Sequence, residues 1–191
     1  MKSIFFAGTY APYDVVNAIF LYSFMGWVME SIVIRFEKGH WEKRGFVHGP
    51  FCIIYGFGAM LGYVVLKPFS HNYLVLYLAG ALLATLLEYL TARVMLRVFG
   101  MFWWDYHNKP LNYRGMLCLE STLGWGVIAL LLFTVLQENI LWVVTRLPEK
   151  VGTALSFLLI CGYAIDFISS VRKARHMGRS HAETQNSMLQ E

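Results

Sequence analysis

Five apolar stretches fill most of this chain, at 15–34, 47–66, 73–92, 116–136 and 151–171. Each is near the ~20 residues that carry an α-helix across a hydrocarbon core. Lipid offers no partner to a backbone N–H or C=O, so a continuous apolar run of this length must pair its backbone within itself, as a helix. The expectation is an all-α polytopic bundle of about five transmembrane helices, forming one transmembrane domain over 1–171 with a polar, mobile tail at 172–191. Composition agrees: 57% of the 191 residues are hydrophobic and 15% charged, against about 25% charged in a soluble domain. Cys52, Cys118 and Cys161 all fall in apolar stretches and read as packing residues rather than a disulfide framework or metal ligands. The segment 137–150 is expected to form a short interfacial or re-entrant helix before Pro148.

Basic residues are unevenly spread over the connections. Lys2, Lys67, Arg146 and Lys150 fall on one side. Arg35, Lys38, Lys43, Arg44, Arg93, Arg97, Lys109, Arg114, Arg172, Lys173, Arg175 and Arg179 fall on the other. By the positive-inside bias the amino terminus is then outside the plasma membrane and the carboxy terminus cytoplasmic. The net charge of +4 is this orientation signal plus attraction to anionic lipid, and calls for no nucleic acid.

Glu30, Glu88, Glu120 and Asp166 sit within the apolar stretches. Each costs about 2.5–3.5 kcal/mol at the centre of a membrane helix, so all four must be off-centre, protonated, paired or facing water. The span limits place them in one layer, about 6–8 Å below the inner boundary at 1.5 Å per residue. Small residues on the same stripes (Ala81, Ala84 and Thr85 with Glu88; Ser23 and Gly26 with Glu30) let neighbouring helices approach and turn the acids into the bundle. Two readings follow. The carboxylates stitch helices together through Arg35, Arg93, Arg97 or Arg114, or through hydroxyls, or they wall a cytoplasm-facing cavity for a cation, proton or polar substrate.

The first four spans hint at a parallel repeat of a two-helix unit. Glu30 is followed by Arg35, Trp41-Glu42, Arg44-Gly45 and Gly56-Phe57-Gly58; Glu88 is followed by Arg93, Trp104-Asp105, Arg114-Gly115 and Gly124-Trp125-Gly126. The interval from Glu to Arg-Gly is 14 residues in one half and 26 in the other. Trp103, Trp104 and Tyr106 suit a headgroup belt, with the alternative that Trp104-Asp105-Tyr106 folds back over the acids and Asp105 and His107 add polar groups. His48, beside Gly49-Pro50, reads as a boundary residue; a metal site from His48, Glu30 and Glu88 has no motif behind it. The chain lacks a Gly-Lys pair and so has no phosphate-binding loop.

Several motifs recur in order: Ser23-Phe24-Met25-Gly26-Trp27 with Glu30, Arg44-Gly45-Phe46, Gly49-Pro50-Phe51-Cys52 and Tyr55-Gly56-Phe57-Gly58-Ala59. Leu87-Glu88-Tyr89-Leu90-Thr91, Phe99-Gly100, Trp103-Trp104-Asp105-Tyr106, Cys118-Leu119-Glu120-Ser121 and Trp125-Gly126 follow. Over roughly 20–132 this resembles the bacterial membrane family labelled ABC-transporter type IV, or CmpB-like. Ile53 departs from that pattern, where a Pro is expected before Tyr-Gly. The resemblance implies a permease-like subunit whose ATPase is a separate polypeptide.

The leading expectation is a membrane transport component. Its polar cavity would be lined by Glu30, Glu88, Glu120 and Asp166, with Arg44 and Arg93 as counter-charges and His48, Trp104 and Asp105 nearby. A membrane-embedded enzyme acting on lipid and a non-catalytic scaffold are the alternatives. No cofactor and no metal are expected; the partners are the bilayer and an ATPase subunit, with further copies of the chain left open.

Overall fold

The computed structural model describes residues 10–42, 44–100 and 104–188, with side chains placed as far as Arg175. Lys2, Lys43 and Trp103, which enter the charge and belt arguments, lie outside them.

Five helices run in alternating directions: α1 Pro12–Lys38, α2 Ile53–Leu66, α3 Tyr73–Phe99, α4 Leu119–Val144 and α5 Glu149–Met188. Four are long and apolar enough to cross a bilayer, taking α5 from Glu149 to Arg175, and α2 is the shorter apolar helix. The chain is a multi-pass membrane protein. Helix α1 opens on Pro12, whose missing N–H is harmless in a first turn. Helix α3 opens on Asn72, whose Oδ1 accepts from the N–H groups of Leu74 (3.0 Å) and Val75 (3.2 Å). Both long helices stop at a left-handed glycine: Gly39 (φ 76°) returns its N–H to Arg35, and Gly100 (φ 75°) to Leu96.

The second span differs from the expected 47–66. Helix begins only at Ile53, and residues 44–52 form a non-helical plug packed into the bundle. The cause is local. Pro50 disfavours helix at Gly49 before it, and other elements take up the plug's polar groups. Asp166 on α5 accepts the N–H groups of His48 (3.0 Å) and Gly49 (2.6 Å), while the N–H of Cys52 donates to the Ser23 carbonyl on α1 at 3.0 Å. Phe46 packs on Phe167 and Phe51 on Phe20, and Val47 is 2% exposed. Irregular backbone at membrane depth is tolerated where protein surrounds it in this way.

The fourth span also runs further than expected. Residues 137–144, expected as a separate interfacial segment, continue α4 through a single π-turn at Leu132–Leu136. Before α4, residues 104–118 form a small hairpin in which Asn112–Tyr113 pairs antiparallel with Leu117–Cys118. Gly115, at φ 68°, faces the His107 ring so closely that any side chain there would collide. Helix α5 continues to Met188, through the stretch expected to be mobile.

Two apolar cores hold the bundle. Ala18, Tyr22, Met60, Leu132, Ile140 and Val144 join α1, α2 and the end of α4, and Leu66, Leu76 and Ala129 join α2, α3 and α4. Close approach is set by glycine at two equivalent places. Gly56 on α2 lies on the Ile19 carbonyl and Ser23 of α1, and Gly126 on α4 lies on the ring of Tyr77 of α3. A Gly56→Leu substitution must push two helices apart and should cost about 1–3 kcal/mol, read as a lower Tm of the detergent-solubilised protein. Gly58→Ala, whose added methyl meets nothing within 4 Å, should leave Tm unchanged or raise it.

Candidate functional site

The four intramembrane acids do not share one enclosure. Glu30 lies eight residues before the end of α1 and Glu88 eleven before the end of α3, about 12 and 16 Å of helix. They meet at the centre of the bundle through their aromatic partners. Tyr55 of α2 donates its hydroxyl to Glu30 Oε1 at 2.8 Å, and Trp125 of α4 donates its indole N–H to Glu88 Oε2 at 3.1 Å. The two rings touch, with centroids 5.7 Å apart.

The remaining partners differ. Arg44, from the plug, donates Nε–H to Glu30 Oε2 at 3.2 Å, giving this carboxylate a charged neighbour. Glu88 is only 7% exposed and forms no ion pair among the described residues. Neutral groups surround it instead: Tyr106 donates to Oε1 at 3.0 Å and Ser121 to Oε2 at 3.3 Å, besides Trp125.

The other two acids lie elsewhere. Glu120, expected inside the bundle, occupies the first turn of α4 with its side chain 64% exposed. Its place there is set by helix polarity, which favours a carboxylate at the amino end. It pairs with Lys109 at 2.9 Å, and Lys109 also holds Glu37 of α1 at 2.6 Å. These two hydrogen bonds raise the Lys109 ammonium pKa above its usual value. Asp166 is committed to the plug: besides the two backbone N–H groups it meets His48 Nδ1 at 2.9 Å. Ser170 reaches the same nitrogen at 3.1 Å. Hydroxyl and carboxylate on one ring nitrogen form no proton relay, and Ser170 is itself buried.

Arg93 lies over Tyr89 of its own helix and makes no salt bridge among the described residues. Arg114 lies over Tyr113. Trp104 donates its indole N–H to the Met116 carbonyl at 2.9 Å and braces the hairpin. Asp105 is exposed and closes a local turn onto His107, whose backbone N–H holds its carboxyl below the usual pKa range. The segment thus does fold back over Glu88, but through Tyr106, whose phenol pKa burial raises above its usual value. The fold-back alternative looks to Asp105 and His107 for the polar groups rather than to Tyr106, and names neither Tyr55 nor Ser121 as a partner; their signal is a hydroxyl beside each acid's helix, which many membrane chains carry. An apolar cavity of about 410 Å³ lies between α2 and α3 along Ile54, Phe57, Leu61, Leu87 and Thr91, and neither Glu30 nor Glu88 lines it.

The contacts clarify the repeat. Eleven residues separate Arg44 from Tyr55 and also Arg114 from Trp125, and each aromatic precedes the glycine that seats its helix. The glycine equivalent to Gly56 is therefore Gly126, two residues later than Gly124. Gly45 and Gly115, after the two arginines, share a positive φ (87° and 68°). The longer Glu-to-Arg-Gly interval of the second half is the hairpin, which brings Tyr106 to Glu88 while Arg114 points away.

Residues 18–171 match the model of a family described as Putative ABC-transporter type IV. The chain belongs to this family. The match takes in the first part of α5 with Asp166 as well as the two repeated halves. No curated protein and no solved structure matches the chain.

Lys109 ties the hairpin to both α1 and α4. Lys109→Met should release it, and the Tyr106 amide, bonded to Gly115 at 2.9 Å, should lose at least tenfold protection in hydrogen exchange. Unchanged protection would show that Tyr106 and Trp104 hold the hairpin alone.

Proposed function

We propose that this chain is the membrane-embedded component of a transport system in which Glu88 takes up and releases positive charge, as a proton or the cationic group of a cargo. One observation carries the reading. Of two matched carboxylates at the centre of the bundle, Glu30 has Arg44 and Glu88 has neutral donors only. A charged carboxylate buried beside neutral groups still favours a positive partner, because the surrounding dielectric is low. Glu30 with Arg44 is then the fixed half of the pair, and Glu88 the exchangeable half.

Access is from the cytoplasm. The positive-inside bias favours a cytoplasm-facing side for the plug and the hairpin, with the amino terminus outside, and the hairpin covers Glu88 through Tyr106. Energy comes from an ATPase on another polypeptide, consistent with the family's description and with the lack of a phosphate-binding loop in this sequence.

Glu88→Gln keeps the three hydrogen bonds within reach but removes the exchangeable charge. It should abolish transport at unchanged membrane abundance, while Tyr106→Phe should reduce it without abolishing it. Uptake measured in cells deleted for the gene and carrying each variant tests this, and wild-type uptake by Glu88→Gln would make Glu88 purely structural. A second reading, action on a membrane lipid, is favoured by the apolar cavity between α2 and α3, the helix that carries Glu88. It expects a change in lipid composition on deletion that Glu88→Gln fails to reverse, with no change in uptake.

A further inference from the structure

Three buried side-chain atoms find no hydrogen-bond partner among the described residues: Asp14 Oδ1, Asn17 Oδ1 and Gln137 Nε2. They belong to residues 7, 4 and 3% exposed. All lie in the half of the bundle remote from Glu30 and Glu88, where α1 packs on the end of α4 and the start of α5. An orphaned buried polar atom demands an explanation. Gln137 has a simple one in part: its Oε1 accepts from the Tyr22 hydroxyl at 2.6 Å, and the atom left over is a donor.

Asp14 and Asn17 are different, because both leftover atoms are oxygens. They sit three residues apart on one helix, the spacing that stacks side chains on a face. Capping accounts for only one oxygen of Asp14, since Oδ2 accepts the Ala11 N–H at 3.1 Å. The Asn17 amide is oriented by its donor bond to the Gly152 carbonyl of α5 at 3.1 Å; reversing it would set two carbonyl oxygens against each other. Asp14 forms no salt bridge among the described residues. One anionic and one amide oxygen, both withdrawn from water and lacking a donor, are the ligand types a hard cation takes.

We propose that Asp14 and Asn17 bind a monovalent alkali cation where α1 meets α5. A single carboxylate matches one positive charge. The positive end of the α1 dipole favours the carboxylate but opposes the ion, so binding is expected in the millimolar range. This site is independent of the Glu88 reading, and neither stands on the other.

The test is thermal unfolding of the full chain in detergent micelles, with NaCl or KCl replacing choline chloride at constant ionic strength. Wild type should gain about 3–6 °C at ten times the dissociation constant, saturably. Asp14→Asn and Asn17→Leu should lose the gain. Equal Tm in alkali and choline salts would overturn the site and leave a bridging water as the occupant; so would a gain retained by both variants. Should either variant fail to fold, the ²³Na linewidth with wild-type micelles decides: saturable broadening supports the site, and the bulk linewidth overturns it.

Discussion

Hydrocarbon supplies no donors, so a carboxylate placed in it must collect them from the protein, and here that demand falls hardest on Glu88. Its three donors come from two separate pieces of chain: Ser121 and Trp125 from α4, and Tyr106 from the hairpin. To deliver them, α4 must lie against α3 at the register that Gly126 permits on Tyr77, and the hairpin must close over the helix ends. Glu88 thereby fixes the arrangement of α3, the hairpin and α4 more firmly than any apolar contact, which tolerates small slips.

The two halves show how one backbone plan can carry two electrostatic outcomes. Both have a long helix ending at a left-handed glycine, an Arg-Gly turn, and an aromatic-glycine pair that returns to the acid. What separates them is the added hairpin. It replaces a guanidinium with a phenol beside the acid, exchanging a full counter-charge for a hydrogen bond. A pair of like sites with unlike partners can hold one charge steady while the other varies, which two identical sites could not do.

Much of this was legible from residue order. Apolar runs of this length admit only helices, and Glu30 and Glu88 stand out because charge in such runs is costly. The Arg-Gly turns could be paired by eye, and the unequal interval between the halves already marked the insertion. Other features were hidden for physical reasons. Residues 47–52 sit at the head of an apolar run, and only Asp166 and Ser23, distant in sequence, reveal why the N–H groups of His48, Gly49 and Cys52 need no helical partner. Glu120 looks internal by position, yet helix polarity and Lys109 draw it outward. Asp14 precedes the apolar run and so escaped notice, although tertiary packing buries it. Hydroxyls such as Tyr55 and Tyr106 carry no charge to flag them.

The π-turn at Leu132–Leu136 has a broader consequence. An extra residue in one turn rotates everything after it relative to everything before. Helix α4 therefore addresses two neighbours in succession: its first part faces α3 with Gly126 and Ala129, and its last part faces α1 with Gln137, Ile140 and Val144. A single straight rod could not mate with both. Loss of one residue there would leave a perfectly good helix pointing its second half at the wrong partner, so the seam between the two ends of the bundle is encoded in one surplus amino acid.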